Sequence, residues 1–148
     1  MTYTWNEKAL FNPEWPQENT LQKTYTFAAA TTGATGAHAL LTVTGLVEMT
    51  VIARCSTNLA GAATIELGTA ATTAGILAQV ADATDIDAGD IWHDATVDAS
   101  IELTSVAKRN LVGQSVILTI GSTAITAGVI TFYVRWAPIS SDGNVVVA

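Results

Sequence analysis

The sequence predicts an all-β protein, an antiparallel sandwich or barrel of about eight strands behind an extended N-terminal arm. Three observations carry this. Short segments with period-2 alternation recur at intervals of roughly ten residues, turn signals separate them, and no window sustains the 3.6-residue period of an amphipathic helix. The richest segment is Gly128 to Pro138. Its even positions Ile130, Phe132, Val134 and Trp136 form one apolar face, while Thr131, Tyr133 and Arg135 can meet water. Gly128 opens this strand and Pro138, which lacks a ladder donor, closes it.

The chain begins differently. Residues 1–20 hold Tyr3, Trp5, Phe11 and Trp15 with no sustained period, and Pro13 and Pro16 forbid a long helix there. This defines an arm over 1–20 and a β domain over 21–148. Aromatic side chains in an irregular segment need a surface to bury against, either on their own domain or on an adjacent subunit. Trp5, Phe11 and Trp15 are the candidate partner-binding anchors, since large aromatics in pockets dominate interface energies.

A strand of mixed polarity runs from Leu21 to about Ala30, and residues 31–36 read as a flexible turn. Ala39, Leu41, Val43, Val47, Met49, Val51, Ala53 and Cys55 then share one parity with Gly45 among them. An unbroken strand of that span would reach about 55 Å at ~3.3 Å per residue. A bend at Gly45, passing the chain from one sheet to the other with its inner face still inward, fits better. Further strands are expected at 63–67, 75–80, 101–104 and 115–120, with turns at 58–61, 87–90 and 108–110. The Ala- and Thr-rich stretch 69–81 is not expected to be helical, because threonines, Gly75 and Val80 weaken that state. Residues 139–144 form a turn, and Val145-Val146-Val147 either adds a last edge strand or lies on a partner.

Composition narrows the function classes. At 148 residues the chain suits one domain, and only 13% of it is charged, so small weakly polar side chains must cover much of the surface. The net charge of −7, with six Lys and Arg in all, makes nucleic acid an improbable partner. Cys55 is the single cysteine, which excludes an intrachain disulfide and a Cys-pair metal site. The N-terminus lacks a basic n-region and an apolar h-region, and no run has the ~18 apolar residues of a membrane span. The expectation is a soluble protein made in the cytoplasm without a cleaved signal.

Candidate chemistry is sparse. Asp82, Asp85, Asp87 and Asp90 place four carboxylates in nine residues, with Asp94 and Asp98 following. Calcium takes six to eight oxygen ligands, but the spacing is not that of an EF-hand, and a solvated loop with Asp capping its turns is the simpler reading. His38 and His93 lack the paired spacing that preassembles zinc. Cys55, His93 and Asp94 have the residue types of a nucleophilic triad, yet Cys55 has the buried parity of its strand. Tyr133 and Trp92 are candidates for stacking on sugar rings. No nucleophile elbow, zinc-protease helix, phosphate loop or dinucleotide fingerprint is present. The expectation is no enzyme and no cofactor.

Four stretches carry a resemblance: 33–38 (GATGAH), 52–55 (IARC), 85–96 (DIDAGDIWHDAT) and Gly128 to Asn144. Together, over about residues 25–145, the chain resembles small structural proteins of tailed bacteriophages, the capsid decoration or cement proteins. The resemblance implies a β-sandwich of jelly-roll type, a homotrimer, a location on the capsid exterior and the major capsid protein lattice as partner. It carries over no site residues. A head or tail fibre, adaptor or spike component would share the composition, and a carbohydrate-binding module is the remaining class.

Overall fold

The structure, a computed structural model, describes residues 18–93 and 110–148. It is all-β, with two antiparallel sheets and, among the described residues, no α-helix. Ten strands follow in order: β1 (Asn19–Thr26), β2 (Gly36–Thr44), β3 (Val47–Ala60), β4 (Thr64–Thr69), β5 (Leu77–Val80), β6 (Ile91–Trp92), β7 (Asn110–Val112), β8 (Val116–Gly121), β9 (Ala127–Pro138) and β10 (Asn144–Val147). The first sheet has the order β1-β9-β3-β6, with β7 also on β3, and the second has the order β10-β2-β8-β4-β5. Among the described residues no helix is long and apolar enough to cross a membrane.

β9 and β3 form the centre of the first sheet. Val134 pairs with Val51, Phe132 with Ala53 and Ile130 with Cys55, and all six side chains are buried. The second sheet contributes Val116, Leu118 and Ile120 from β8 and Ile65 and Leu67 from β4 to the same buried cluster. Both sheets therefore share one core, the only way either can hide its apolar face from water.

The predicted bend is present. β2 lies in the second sheet and β3 in the first, and the chain crosses at Gly45, whose φ of 63° is open to glycine at no steric cost. Ser140 Oγ accepts the Leu46 N–H at 2.7 Å and fixes the corner to the 139–144 turn. The parity reading fails within β2. A register shift between Ala39 and Leu41 leaves Ala39 exposed and buries Leu40 and Leu41 together.

Other boundaries differ from the sequence reading. β1 starts at Asn19, which pairs with Trp136, so Asn19 and Thr20 belong to the sheet and not to the arm, and β1 ends at Thr26. The 58–61 turn begins later than expected, because β3 continues to Ala60, opposite Ala127 on β9. The strand expected at 101–104 lies outside the described residues, as do Lys108 and Arg109 of the 108–110 turn, while Asn110 already belongs to β7. The C-terminal valines form edge strand β10 on β2, with Val145 buried and Val146 and Val147 exposed.

The edges on the β1 and β10 side meet. Lys23 sits at an inward-facing position of β1 between Leu21 and Tyr25, and its ammonium donates to the Ala148 carbonyl at 2.7 Å. An inward-pointing lysine on an edge strand disfavours pairing with a further chain.

Candidate interaction surface

The outer face of the first sheet carries the strongest surface feature. Opposed residues in an antiparallel pair share a face, so the register places Gln22 beside Tyr133 and Tyr133 beside Ile52. Ile91 stands opposite Arg54 and Leu111 opposite Glu48 on the same side. Tyr133 and Ile52 are each 44% exposed, Ile91 59% and Leu111 64%. These are four of the seven large apolar side chains exposed among the described residues. These four stand at three strand positions, β9, β3 and the β6/β7 edge, with polar neighbours between them.

By the same register the face also carries many polar side chains: Thr20, Gln22 and Thr24 on β1, Glu48, Thr50 and Arg54 on β3, and Thr131 and Arg135 on β9. Thr24 and Thr131 share a hydrogen bond between hydroxyls at 3.0 Å. The Arg135 guanidinium forms an ion pair with Glu18 at the rim, where both are well exposed and water screens the attraction. Arg54 is exposed on the same side. Between β1 and β9 the surface dips into an open depression of about 310 Å³, lined by Thr20, Leu21, Gln22, Tyr133, Val134 and Arg135. On the second sheet's outer face Ala37 stands beside Thr119, and Thr119 beside Glu66, to which Gln79 donates at 2.8 Å.

Trp5, Phe11 and Trp15 lie outside the described residues, as do Asp94 and Asp98. The acidic loop is tied down by hydrogen bonds. Asp82 caps a short 3-10 turn at Ala83–Asp85, its carboxylate accepting from the Thr84 hydroxyl at 2.7 Å and the Thr84 N–H at 3.0 Å. These bonds hold the Asp82 carboxyl below its ordinary range, so its contribution to stability is present above about pH 4 and lost as pH falls through the folded-state value. Asp90 accepts the Asp87 N–H at 3.0 Å, and Asn58 on β3 bridges to Asp87 and to the Ala88 N–H. Among the described residues no three His, Cys, Asp or Glu side chains are grouped to hold a metal.

The two histidines lie apart. His38, on β2, places Nε2 2.7 Å from the Ala34 carbonyl and its ring edge-on to Tyr25, whereas His93 is exposed just past β6. Trp92 is not a stacking platform. Its ring lies inside against Phe132, with centroids 6.3 Å apart, and Nε1 donates to the Ala78 carbonyl at 3.2 Å. In the two-residue strand β6 one side chain must face out, and Ile91 does so. Tyr133 alone of the two sugar-stacking candidates is exposed.

Cys55 is 1% exposed, and its thiol donates to the Thr57 carbonyl at 3.1 Å. Burial pushes the thiol's pKa up, the hydrogen bond to Thr57 opposes this in part, and the carboxylates of Asp90 and Asp87 add to the rise. The unfolded chain therefore releases this proton first. Stability should fall as pH rises from about 8.5 toward the folded-state value, with Tyr25, also raised by burial, adding to the loss from near pH 10. Cys55 should resist iodoacetamide in the native protein and react fully in urea. A urea midpoint that does not decline above pH 8.5, or rapid native alkylation, would contradict this burial.

No protein family, characterised protein or solved structure matches the chain.

Proposed function

We propose that this chain is a non-enzymatic structural protein of a tailed-phage virion, a jelly-roll sandwich that decorates and stabilises the capsid lattice from outside. The observation that carries the reading is the strand pairing. With β6 and β7 taken as two pieces of one strand on the edge of β3, strands pair first with last, second with next to last, and so inward: β1 with β9, β2 with β8, β3 with β6 and β7, and β4 with β5. A ribbon paired this way and rolled into two sheets is the jelly roll, an architecture shared by viral capsid and lectin domains. β10 is then a ninth strand added beside β2.

The surface supports a binding role. The first sheet's outer face combines exposed apolar side chains with charges of both signs, Arg54 and Arg135 beside Glu48 and Glu18. Four strand positions at ~4.8 Å by roughly eight residues at ~3.3 Å give a face on the order of 500 Å² in projection. A partner in a stable interface contributes about 800 Å². The face alone falls short, and an arm bearing Trp5, Phe11 and Trp15 would supply the remainder. Such a protein needs no chemistry: burying area across seams between capsid subunits opposes their separation. A homotrimer follows from the resemblance to cement proteins, with the major capsid protein as partner and no role for nucleic acid or membrane.

Co-sedimentation with phage heads that lack the protein tests this. Hundreds of bound copies per head are expected, and deletion of residues 1–16 should leave a folded domain that no longer binds. A few copies per head would instead indicate a fibre, adaptor or spike component. No binding at all would overturn the virion reading. The exposed Tyr133 ring on a fold shared with lectins favours carbohydrate as the second reading, and saturable glycan binding lost in Tyr133→Ala would establish it.

A further inference from the structure

We propose that the depression between β1 and β9 is a seat for one uncharged hexopyranose ring, with Tyr133 as its platform and Gln22 and Arg135 as the groups that meet its hydroxyls. Register builds the seat from two cross-strand pairs, Gln22 with Tyr133 and Thr20 with Arg135, standing on either side of the Leu21–Val134 pair. Leu21 packs on the core and Val134 is buried, so the walls are the four outward side chains. Two residues separate one pair from the next, or ~6.6 Å along the strands, which leaves space for a single ring between them.

Size, polarity and charge select the ligand. The volume of about 310 Å³ stands at the small end of the range for small-molecule sites, roughly 300–1,000 Å³, so the seat takes one ring and not a long chain. Being open to solvent, it cannot hide a wholly apolar molecule from water. A pyranose needs no such enclosure, because one face is apolar C–H and its hydroxyls stay wet. The Tyr133 ring, exposed on the outer face, offers its negative π surface to those polarised C–H groups. Gln22 supplies both donors and an acceptor and Arg135 several donors, which match hydroxyls that give and take hydrogen bonds.

Charge excludes the anionic sugars. Glu18 pairs with Arg135 and cancels its charge, and the chain as a whole carries −7, so a uronate would have to displace the Glu18 carboxylate against an unfavourable field. Glu18 is therefore a positioning residue: it holds the guanidinium at the rim and sets the preference for an uncharged ring. This assignment rests on the carbohydrate reading of Tyr133 and is independent of the virion reading.

The experiment is NMR titration of the nitrogen-15-labelled full chain with methyl β-D-glucopyranoside, methyl β-D-galactopyranoside, methyl α-D-mannopyranoside and methyl β-D-glucuronide. At least one neutral glycoside should bind saturably with a Kd of about 1 mM, as fits so small a ligand on an open site. It should shift the Gln22 side-chain amide and the backbone amides of residues 20–22 and 133–135, and bind more tightly than the glucuronide. Tyr133→Ala should weaken it about tenfold, whereas Tyr133→Phe, which keeps the ring, should weaken it less than about threefold. Glu18→Gln should raise the affinity for the glucuronide relative to the neutral sugar about two- to fivefold, a gain that high salt removes. Saturable binding that shifts amides elsewhere, or that survives Tyr133→Ala, overturns the seat and leaves carbohydrate binding standing. Tighter binding of the glucuronide by the unaltered chain, or a ratio unmoved by Glu18→Gln, overturns the uncharged ring. No shift with any of these sugars at tens of millimolar overturns the seat and the carbohydrate reading together, while the virion reading is decided by co-sedimentation alone.

Discussion

Phe132→Ala should destabilise the protein by about 3–5 kcal/mol, the range for truncating a fully buried phenylalanine. Phe132 is 0% exposed at the middle of β9, between the two sheets, and its ring meets the Trp92 ring at 65°. Truncation removes the transfer free energy of the ring and leaves a cavity beside Trp92 that a two-sheet core closes only in part. Domains of this size are stable by roughly 5–15 kcal/mol, so the loss is a large share of the total. At about 2–4 °C per kcal/mol the melting temperature should fall by roughly 6–20 °C. Tyr133→Ala, one residue along and facing outward, should change stability by no more than about 1 kcal/mol. Urea unfolding of both variants checks the pair, and equal losses would mean that the inner and outer faces of β9 are wrongly placed.

The contrast between Phe132 and Tyr133 was legible in the sequence because a strand's alternation is local. The same holds for β8, where Val116, Leu118 and Ile120 all turn inward, and for β4. Alternation does not survive an inserted residue. Leu40 and Leu41 are both buried because β2 shifts register against β8, and nothing in Ala39-Leu40-Leu41 announces which residue is extra. β3 likewise runs past Asn58, a turn former, because β9 offers backbone partners as far as Ala127 and two register shifts absorb the mismatch.

Partner choice was not legible at all. β1 and β9 pair across more than a hundred residues, and an alternating strand states which face is apolar without stating which neighbour it takes. The exception is Gly45, where shared parity on both sides of a glycine identified the crossing between sheets. The surface was legible only in pieces. Tyr133 could be read as exposed from its parity, but its adjacency to Ile52, Gln22 and the Arg135 rim is a product of register. Trp92 shows the opposite limit: a two-residue strand has no period, so sequence could not say that the indole, rather than Ile91, goes inside.

Gly128→Ala should be as damaging as the loss of a core ring, although it adds one methyl group at the start of a strand. Gly128 has φ of 124°, a conformation that L side chains rarely adopt, and it is buried where β9 leaves the turn after β8. A Cβ there would lie 2.8 Å from the Asn58 carbonyl oxygen and 2.9 Å from the Leu59 Cα, besides striking the Leu59 side chain. The side chain could move, but the two backbone atoms belong to β3, the strand that β9 must pair with. The Gly128 carbonyl also accepts the Phe27 N–H at 2.9 Å, so the backbone cannot rotate away without losing that bond. Strained φ costs about 1–3 kcal/mol by itself, and the backbone collision adds to it, for a total of about 3 kcal/mol or more. The cause separates itself in a double variant. Leu59→Ala removes the nearest side-chain obstacle and leaves the two backbone atoms, so it should not restore stability to Gly128→Ala, and the two losses should accumulate. Recovery in the double variant would mean that side-chain crowding, and not the backbone, fixes glycine at the point where the central strand begins.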